Sequence, residues 1–401
     1  MSKEHVMSHI IIFPTDDCNL ACPYCFEGQH QKWRKCDMTL ETGKKSVDFI
    51  IEQCKDSPTF SVQFFGGEPT LRMDLVGKIA EYAVLQGEAT GKKAVFSLTS
   101  NLTLLDYDAI EILKKYSITL VASIDGMPTG EGVRYFRDTR VDSGYEALRG
   151  IMAAHDAGVD VTVRWTLVPE AVPRVFDSIK EFVALGLKRL VLEFVYESEW
   201  DKASLDSLEH QLRLVAKFYI EEMRNDRYFH FSPFERAFSV YTMDERRTLR
   251  CGLAVSGVGI GTDGTIAPCH RFIARDDAAV WELGNVWTGL KAEKRQAMID
   301  DWHYDKIKVD DGRECKDCPV KIRCPGGSCF PTHLDFCNDF YTTPHAYCDL
   351  QLVQQRVGND VLGILYGEKN PAITRLIEAT FDEGPVERKI TPNVNIRKEV
   401  N

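Results

Sequence analysis

The sequence predicts an α/β protein, in which a parallel β-sheet with crossover helices precedes a loop-rich region organised by cysteines. Up to about residue 224, short runs rich in Val, Ile, Phe and Thr alternate with amphipathic helical patterns. From residue 251 to 348 the alternation gives way to Gly, Pro, Asp and Asn, and eight of the 13 cysteines lie there. With 44% hydrophobic residues in 401, the chain can bury a sizeable core.

Six predicted strands alternate with six predicted helices. The strands are expected at residues 10–13, 61–65, 94–99, 119–123, 159–167 and 190–195. The helices are expected at residues 40–54, 71–85, 106–115, 144–157, 173–185 and 203–224, the first with Thr39 as its N-cap. Crossovers of this length return each strand in the same direction, so the pairing is parallel. A doubly wound sheet and a barrel both fit, and both place ligand chemistry at the carboxyl ends of the strands.

The charge balance argues against two broad classes of partner. Lys and Arg total 49 against 60 Asp and Glu, a net charge of -11, which disfavours a broadly basic surface for nucleic acid or anionic membrane. No run approaches the roughly 18 apolar residues of a membrane span, and residues 1–9 lack a signal core. We therefore predict a cytoplasmic protein with no nucleic-acid and no membrane partner, whose clustered thiols serve as metal ligands rather than disulfides.

The first cysteine motif follows the first strand. Cys18, Cys22 and Cys25 form a CX3CX2C loop without a fourth cysteine nearby. A cubane iron-sulfur cluster held by three thiolates keeps one iron open to another ligand, which suits catalysis, whereas structural zinc takes a closed tetrahedral set. The next strands end at other polar or glycine-rich segments, namely 66–69, 100–101 and 125–126. The sequence thus predicts one functional rim.

The segment CNLACPYC, with Tyr24 directly before the third cysteine, resembles the radical S-adenosylmethionine (SAM) superfamily. The resemblance implies a partial (β/α)6 TIM-like barrel, and Cys18, Cys22 and Cys25 as the catalytic residues that hold a SAM-binding 4Fe-4S cluster. It also implies that SAM is contacted by Tyr24, Gly66, Gly67, Glu68, Pro69, Ser123, Asp125 and Arg164. These residue types fit, because glycines let backbone approach a ligand and Arg grips a carboxylate.

The C-terminal cysteines resemble the SPASM domain, a family extension with two auxiliary 4Fe-4S clusters, which makes three clusters in all. The resemblance assigns Cys251, Cys269 and Cys329 to the first auxiliary cluster, and Cys315, Cys318, Cys324 and Cys348 to the second. One residue more than usual separates Cys324 from Cys329, and the fourth ligand of the first cluster is open, with Cys337, water or a substrate thiolate as candidates. A zinc knuckle is the alternative for 315–329. Cys36 and Cys54 fit neither set.

The segments 267–272 and 283–286 resemble those of maturases of ribosomally made peptides (RiPPs). The resemblance implies a 5′-deoxyadenosyl radical that abstracts hydrogen from a peptide or protein substrate, followed by a thioether or carbon-carbon crosslink. It also implies a reducing partner such as flavodoxin or ferredoxin. Since the first strand begins near residue 10, we expect no N-terminal peptide-recognition domain, and a separate leader-peptide-binding protein is one way to supply it. The expected domains are 1–224 (barrel), 225–247 (bridge), 248–360 (SPASM) and 361–401 (helix and tail).

Two alternatives are kept. Anaerobic sulfatase-maturating enzymes, which oxidise Cys or Ser to formylglycine, are the nearest related class, but the Asp that they tend to carry after the second SPASM cysteine is His270 here. His270 is a possible proton acceptor, and Glu193 and Tyr196 are further acid-base candidates at the end of the sixth strand. The alternative of another class is a non-catalytic, zinc-stapled binding protein.

Overall fold

The computed structural model describes residues 6–27, 36–55, 57–196, 198–238, 252–273, 275–302, 306–318, 320, 324 and 329–375. The first seven strands of its main sheet are β1 His9–Ile12, β2 Thr59–Phe64, β3 Lys93–Ser100, β4 Thr119–Ser123, β5 Val161–Leu167, β6 Arg189–Phe194 and β7 His230–Phe231. The helices that connect or follow them are α1 Leu40–Gln53, α2 Met73–Thr90, α3 Tyr107–Lys115, α4 Gly144–Asp156, α5 Val175–Ala184, α6 Lys202–Arg224 and α7 Ser232–Phe238.

The strand order separates the two architectures that the sequence left open. Strands β1 to β7 are parallel neighbours in chain order, without the reversal that marks a doubly wound sheet. With right-handed crossovers, consecutive order places the helices on one face, as in a barrel wall. Among the described strands the sheet ends in two unpaired edges, so the wall is open. The α/β class is confirmed, and the architecture matches a partial barrel.

The local sequence explains where the helices begin. Thr39, Asp106 and Asp201 are N-caps whose side-chain oxygens accept hydrogen bonds from Thr42 N (3.1 Å), Ala109 N (2.8 Å) and Ser204 N (2.8 Å). The six predicted strands end within two residues of the observed ones. The predicted end of the second helix at 85 is wrong, because α2 continues to Thr90. It stops where Gly91 adopts a left-handed conformation with φ 69°.

The C-terminal region continues the same sheet. Strands β8 Gly257–Ile260, β9 Thr265–Ala267, β10 Gly284–Asn285 and β11 Gly289–Leu290 extend it beyond β1, and β8 is parallel to β1. The sheet therefore spans the predicted boundary at residue 248, which remains a prediction. The expectation that the alternation of strands and helices stops near residue 225 is wrong, since β7 pairs with β6 and is followed by α7 inside the predicted bridge.

The rest of this region is mainly helical. It contains α8 Ala278–Trp281, α9 Ala292–Asp301, α10 Phe330–Cys337 and α11 His345–Gly367, and a two-stranded sheet of β12 Lys308–Val309 and β13 Thr342–Thr343. Helix α11 packs on α6 and α7, and exposed ion pairs such as Arg213 with Asp360 (3.0 Å) join α6 to α11. Helix α11 crosses the predicted boundary at residue 361, which remains a prediction. No helix in the described ranges is long and apolar enough to cross a membrane.

His333 on α10 gives the C-terminal region a pH-dependent stability. Its side chain is buried, and burial lowers its pKa to about 4, although the imidazole bonds the Phe340 carbonyl at 2.8 Å. The unfolded value is about 6.5, so the unfolded chain binds more protons between the two values. The contribution of His333 is present above about pH 6.5 and is lost as pH falls toward the folded-state pKa. Between about pH 7 and 5 we expect a loss of ~2 kcal/mol in the free energy of unfolding.

Urea unfolding of the wild type, His333→Gln and His345→Gln at several pH values measures this loss. The His333→Gln variant should lose less stability on acidification than the other two proteins, because it lacks the buried imidazole. His345→Gln is the control, since His345 lies exposed beside Asp310. Equal pH slopes for all three would show that His333 does not titrate as its burial requires.

Candidate functional site

A cavity of about 520 Å³ opens at the carboxyl ends of the parallel strands. The three cysteines of the CX3CX2C loop, the end of β2, the end of β3 and residues of β4, β5 and β6 all line it. The cavity thus brings the cysteine loop together with parts of segments 66–69 and 100–101, whereas residues 125–126 lie outside its wall, and the functional role of this rim stays a prediction. Residues from the C-terminal region, including His270, Cys329 and Tyr347, complete the wall.

The cysteine loop is fixed by bonds to the segment that connects β4 to α4. Ala21 N donates to Tyr135 O at 3.0 Å, and Arg137 N donates to Asn19 O at 2.9 Å. Within the loop Cys25 N donates to Cys22 O at 3.1 Å. Cys18, Cys22 and Cys25 all line the cavity, so the loop brings its three cysteines to one space.

The Gly66-Gly67-Glu68-Pro69 segment lies directly against this loop. Gly67 N donates to Thr15 O at 3.0 Å, and a Cβ at Gly67 would collide with the Asp17 carbonyl, so no side chain fits. Gly66 has φ 108°, a conformation that favours glycine. Both glycines line the cavity, whereas Pro69 begins a 3-10 turn and is buried outside the wall.

Glu68 is a buried carboxylate that joins β2 to β3. It accepts hydrogen bonds from Thr70 N (3.0 Å), Thr70 Oγ1 (2.7 Å), Ser100 Oγ (2.7 Å) and Asn101 N (2.8 Å). Burial raises its pKa, although these hydrogen bonds act in the opposite direction. The bonds from Ser100 and Asn101 tie the glycine segment to the end of β3, which gives Glu68 a positioning role that its sequence motif did not reveal.

Tyr24, Asp125 and Arg134 form a buried network beside the cavity. The Tyr24 hydroxyl donates to Asp125 Oδ2 and accepts from Arg134 Nη1 at 2.7 Å, and Arg134 lies 3.8 Å from Asp125 Oδ1. Burial raises the pKa of Tyr24 well above its usual range, and it also raises that of Asp125 against the opposing charge of Arg134. Tyr24 lines the cavity but Asp125 does not, so the carboxylate predicted to contact SAM is engaged here with protein groups.

Replacing Arg134 by leucine should destabilise the protein. The change leaves Asp125 buried without its cation and releases the Tyr24 hydroxyl, for which we expect a loss of ~3 kcal/mol in unfolding free energy. Denaturant unfolding of Arg134→Leu and of Arg149→Leu, a position on α4, provides the measurement. Equal stability of the two variants would contradict the role of Arg134. Sequence reasoning missed this residue because the loop that carries it has no recognisable motif.

The other end of the cavity is formed by β4, β5, β6 and two helices. Ser123 and Arg164 are paired in register on β4 and β5, and both line the wall. Glu193 on β6 forms an ion pair with Arg236 of α7, and the Tyr196 ring lies 4.9 Å from that of Tyr347. Glu193 and Tyr196 thus reach the rim where the sequence placed them, and their acid-base roles stay predictions.

His270 lies in the cavity wall, on a 3-10 turn directly after Cys269. Its ring is 4.8 Å from that of Phe65 and 5.6 Å from that of Phe26. Burial lowers its pKa to about 3, and the nearby Arg271 and Arg164 act in the same direction. The imidazole is therefore neutral near pH 7, and it can accept a proton only by forming an unfavourable cation.

Glu27, two residues after Cys25, is a wall residue that the sequence analysis did not select. Burial, together with the charge of Asp16, raises its pKa to about 8, although Arg271 acts in the opposite direction. No sequence motif marks Glu27, and its raised pKa follows from its burial in the fold.

The C-terminal cysteines fall into two groups. Cys329 lines the cavity and Cys269 directly precedes the wall residue His270, whereas Cys315, Cys318, Cys324 and Cys348 lie close together. Burial, together with the neighbouring thiols of Cys324 and Cys318, raises the pKa of Cys315 to about 11. This second group contains the four cysteines that the resemblance assigns to the second auxiliary cluster, and that assignment stays a prediction.

The remaining cysteine predictions have different outcomes. Cys251 lies outside the described residues. The pKa of Cys337 is raised by burial and by Asp310 and Asp339, and no thiol contributes to the shift. Cys54 is buried in the core and Cys36 is exposed.

The donor sets fit clusters better than single ions. In the described ranges, no three His, Cys, Asp or Glu side chains converge closely enough to hold one metal ion. Three thiols around one cavity nevertheless suit a cluster, in which each thiolate binds a different iron.

Comparison with known proteins gives the fold a family context. Residues 12–183 match the model of the Radical SAM superfamily. An uncharacterized protein of Methanocaldococcus jannaschii is 24% identical over 53% of this chain and 71% of its own length. A GTP 3′,8-cyclase of Corynebacterium glutamicum is 28% identical over 72% of this chain and 81% of its own length. A PqqA peptide cyclase of Granulibacter bethesdensis is 23% identical over 75% and 78%.

Solved structures show the same fold over most of the chain. The structure of a histidine-tagged anSMEcpe with bound AdoMet has a TM-score of 0.74 at 18% identity, and the match covers 92% of this chain and 98% of that one. Native anSMEcpe with AdoMet and the Cp18Cys peptide has a TM-score of 0.69 at 18% identity, covering 93% and 99%. Streptococcus suis SuiB bound to its precursor peptide SuiA has a TM-score of 0.54 at 16% identity, covering 84% and 75%.

Proposed function

Because residues 12–183 form a radical SAM domain, we propose that this enzyme modifies a peptide or protein substrate by hydrogen abstraction, forming a thioether or carbon-carbon crosslink as in RiPP maturation. The observation that carries the proposal is one cavity that joins the three cysteines, the Gly66-Gly67 backbone and Arg164. The similarity of this chain to a PqqA peptide cyclase, and to solved structures that hold the Cp18Cys or SuiA peptide, supports a peptide substrate.

Each part of the wall has a distinct task in this proposal. Cys18, Cys22 and Cys25 hold a 4Fe-4S cluster, and Cys251, Cys269 and Cys329, together with the second group of four, hold two auxiliary ones. When bound, the first cluster supplies the electron that cleaves SAM into methionine and a 5′-deoxyadenosyl radical. Arg164 binds the methionine carboxylate, because a guanidinium pairs with it in two hydrogen bonds.

The remaining wall residues orient SAM and exclude water. In this proposal the Gly66-Gly67 backbone and Ser123, which line the cavity, contact SAM, as does Tyr24, whose hydroxyl accepts a hydrogen bond from Arg134. Phe26, Phe65 and the neutral His270 form an apolar surface on the cavity wall. Such shielding is needed because a reactive radical attacks whatever group lies nearest.

Metal content and SAM cleavage test this proposal. The protein is purified and reconstituted without oxygen, its iron, sulfide and zinc are measured, and 5′-deoxyadenosine is quantified after reduction by dithionite. We expect about twelve irons per chain, from three four-iron clusters, and SAM cleavage. About four irons together with zinc would reduce the C-terminal half to a zinc scaffold. Zinc without iron would contradict the radical mechanism and favour the binding-protein alternative.

Formylglycine formation is the second candidate, favoured by the TM-score of 0.74 with anSMEcpe. The neutral, desolvated His270 is a poor equilibrium base where those enzymes tend to have Asp, which favours crosslinking over this alternative. Mass spectrometry of a Cys-containing sulfatase peptide after reaction distinguishes the two, because only the second candidate leaves an aldehyde.

A further inference from the structure

The cavity has a second end whose chemistry differs from that of the cysteine end. Glu193 and Arg236 lie there as an ion pair with side-chain exposures of 25% and 24%, and both line the wall. Tyr196 and Tyr347 stand beside them in an edge-to-face arrangement, with ring centroids 4.9 Å apart. None of these four side chains belongs to the cysteine loop or to the segments assigned to SAM. They come from β6, its following turn, α7 and α11.

The ion pair offers both hydrogen-bonding polarities to a guest. In the part of the chain that the structure describes, Arg236 forms one ion pair, with Glu193, so further guanidinium N–H groups remain for a ligand. The carboxylate of Glu193 retains acceptor capacity, because an ionised carboxylate has about four acceptor sites. Although burial opposes the charge of Arg236, Glu193 and the two tyrosines raise its pKa, so the guanidinium stays charged.

The neutrality of the pair selects the class of guest. A charged ligand group loses hydration when it enters this partly buried place. Because the charges of Glu193 and Arg236 already neutralise each other, their attraction for the ligand does not offset that desolvation free energy. A neutral amide avoids that cost, since its carbonyl accepts from Arg236 while its N–H donates to Glu193. The tyrosine rings provide flat apolar surface for the carbon atoms around the amide.

We infer that Glu193, Arg236, Tyr196 and Tyr347 form a substrate subsite that binds a neutral amide group, a peptide bond or an Asn or Gln side chain, of the molecule that the enzyme modifies. This rests on the proposed function in one respect, because it takes the guest to be part of a peptide. The subsite holds the substrate at one end of the cavity while its reacting carbon lies toward the cysteine end.

Three planar probes of nearly equal shape, each with a single functional group, test the inference, namely acetamide (neutral), acetate (anionic near pH 7) and acetamidinium (cationic near pH 7). Their dissociation constants are measured by ligand-observed NMR on the reconstituted enzyme with saturating SAM, which occupies the cysteine end. We expect the wild type to bind the neutral probe at least threefold more tightly than the two others. Absence of binding of all probes, or tighter binding of a charged one, would overturn the inference.

Two charge-removing variants make the test specific to the subsite. Glu193→Gln leaves an uncompensated guanidinium, so the anionic probe should become the tightest ligand. Arg236→Gln leaves an uncompensated carboxylate, so the cationic probe should become the tightest. In the matched control Arg213→Gln, which disrupts an exposed pair with Glu209 on α6, the ranking should remain that of the wild type.

The outcomes separate this inference from the proposed function. An unchanged ranking in Glu193→Gln and Arg236→Gln, in an enzyme that still cleaves SAM, rejects the subsite alone. Failure of the wild type to bind iron or cleave SAM rejects the proposed function, whatever the probes do. Thermal unfolding of both variants confirms that a changed ranking does not arise from loss of the fold.

Discussion

Replacement of Cys22 by alanine is expected to reduce SAM cleavage to the background level. Cys22 lies in the cavity wall together with Cys18 and Cys25. Among the described residues before residue 225, no other cysteine lines this cavity. Two thiolates do not hold a cluster that needs three. Iron analysis should show about four irons fewer per chain, because only one of the three clusters is affected.

Cys36→Ala is the matched control for this variant, because Cys36 is an exposed cysteine close to the loop in sequence. The control should retain the full iron content and the wild-type rate of 5′-deoxyadenosine formation. Full iron and unchanged cleavage in Cys22→Ala would show that the CX3CX2C loop does not hold the cluster, and the central part of the proposal would then fail.

Replacement of Glu68 by glutamine is expected to destabilise the protein and weaken SAM binding together. The buried carboxylate accepts four hydrogen bonds. In Gln one of the two oxygens is replaced by an NH2 group, which is itself a donor and cannot accept from the N–H or O–H that faces it. At least one buried donor then lacks a partner, at a cost of ~2–3 kcal/mol in unfolding free energy. Since Glu68 anchors the Gly66-Gly67 backbone, the SAM dissociation constant should increase at least tenfold.

Glu146→Gln on the exposed surface of α4 is the control, because it removes one carboxylate without removing a buried network. Denaturant unfolding and SAM titration of the holoenzyme are compared for both variants. If Glu68→Gln matches Glu146→Gln in both measurements, the network has no positioning role. A stability loss with unchanged SAM affinity would limit Glu68 to a structural role.

The elements of the first half follow from local sequence. Period-two and helical hydrophobic patterns, with caps such as Thr39, suffice because each strand and helix is long and regular. Short pairings do not leave such a pattern. The two residues of β7 and the link from β8 to β1 depend on tertiary contacts, so the sequence analysis treated them as a bridge and a separate region.

Some residues of the candidate site could be predicted from the sequence and others could not. Residues in dense motifs, such as the cysteines and the Gly66-Gly67 pair, were identified because their spacing is rare. Arg134, Glu27 and Arg236 were missed because their roles arise from burial and from partners distant in sequence, which periodicity does not record. Asp125 shows the converse, since its motif was visible but its hydrogen bonds to Tyr24 and Arg134 were not.

The pairing of β1 with both β2 and β8 has a consequence for folding. His9 pairs with Ser61 on one side of β1 and with Gly257 on the other. During synthesis, one edge of β1 therefore stays unpaired until the ribosome has made β8. Contacts between such distant parts of a chain slow folding, because the entropy cost of closing the loop arises before the strand pairing can stabilise the structure. Until Gly257–Ile260 emerges, the nascent chain presents that edge to other strands, and a chaperone that covers exposed strand edges should raise the yield of native enzyme.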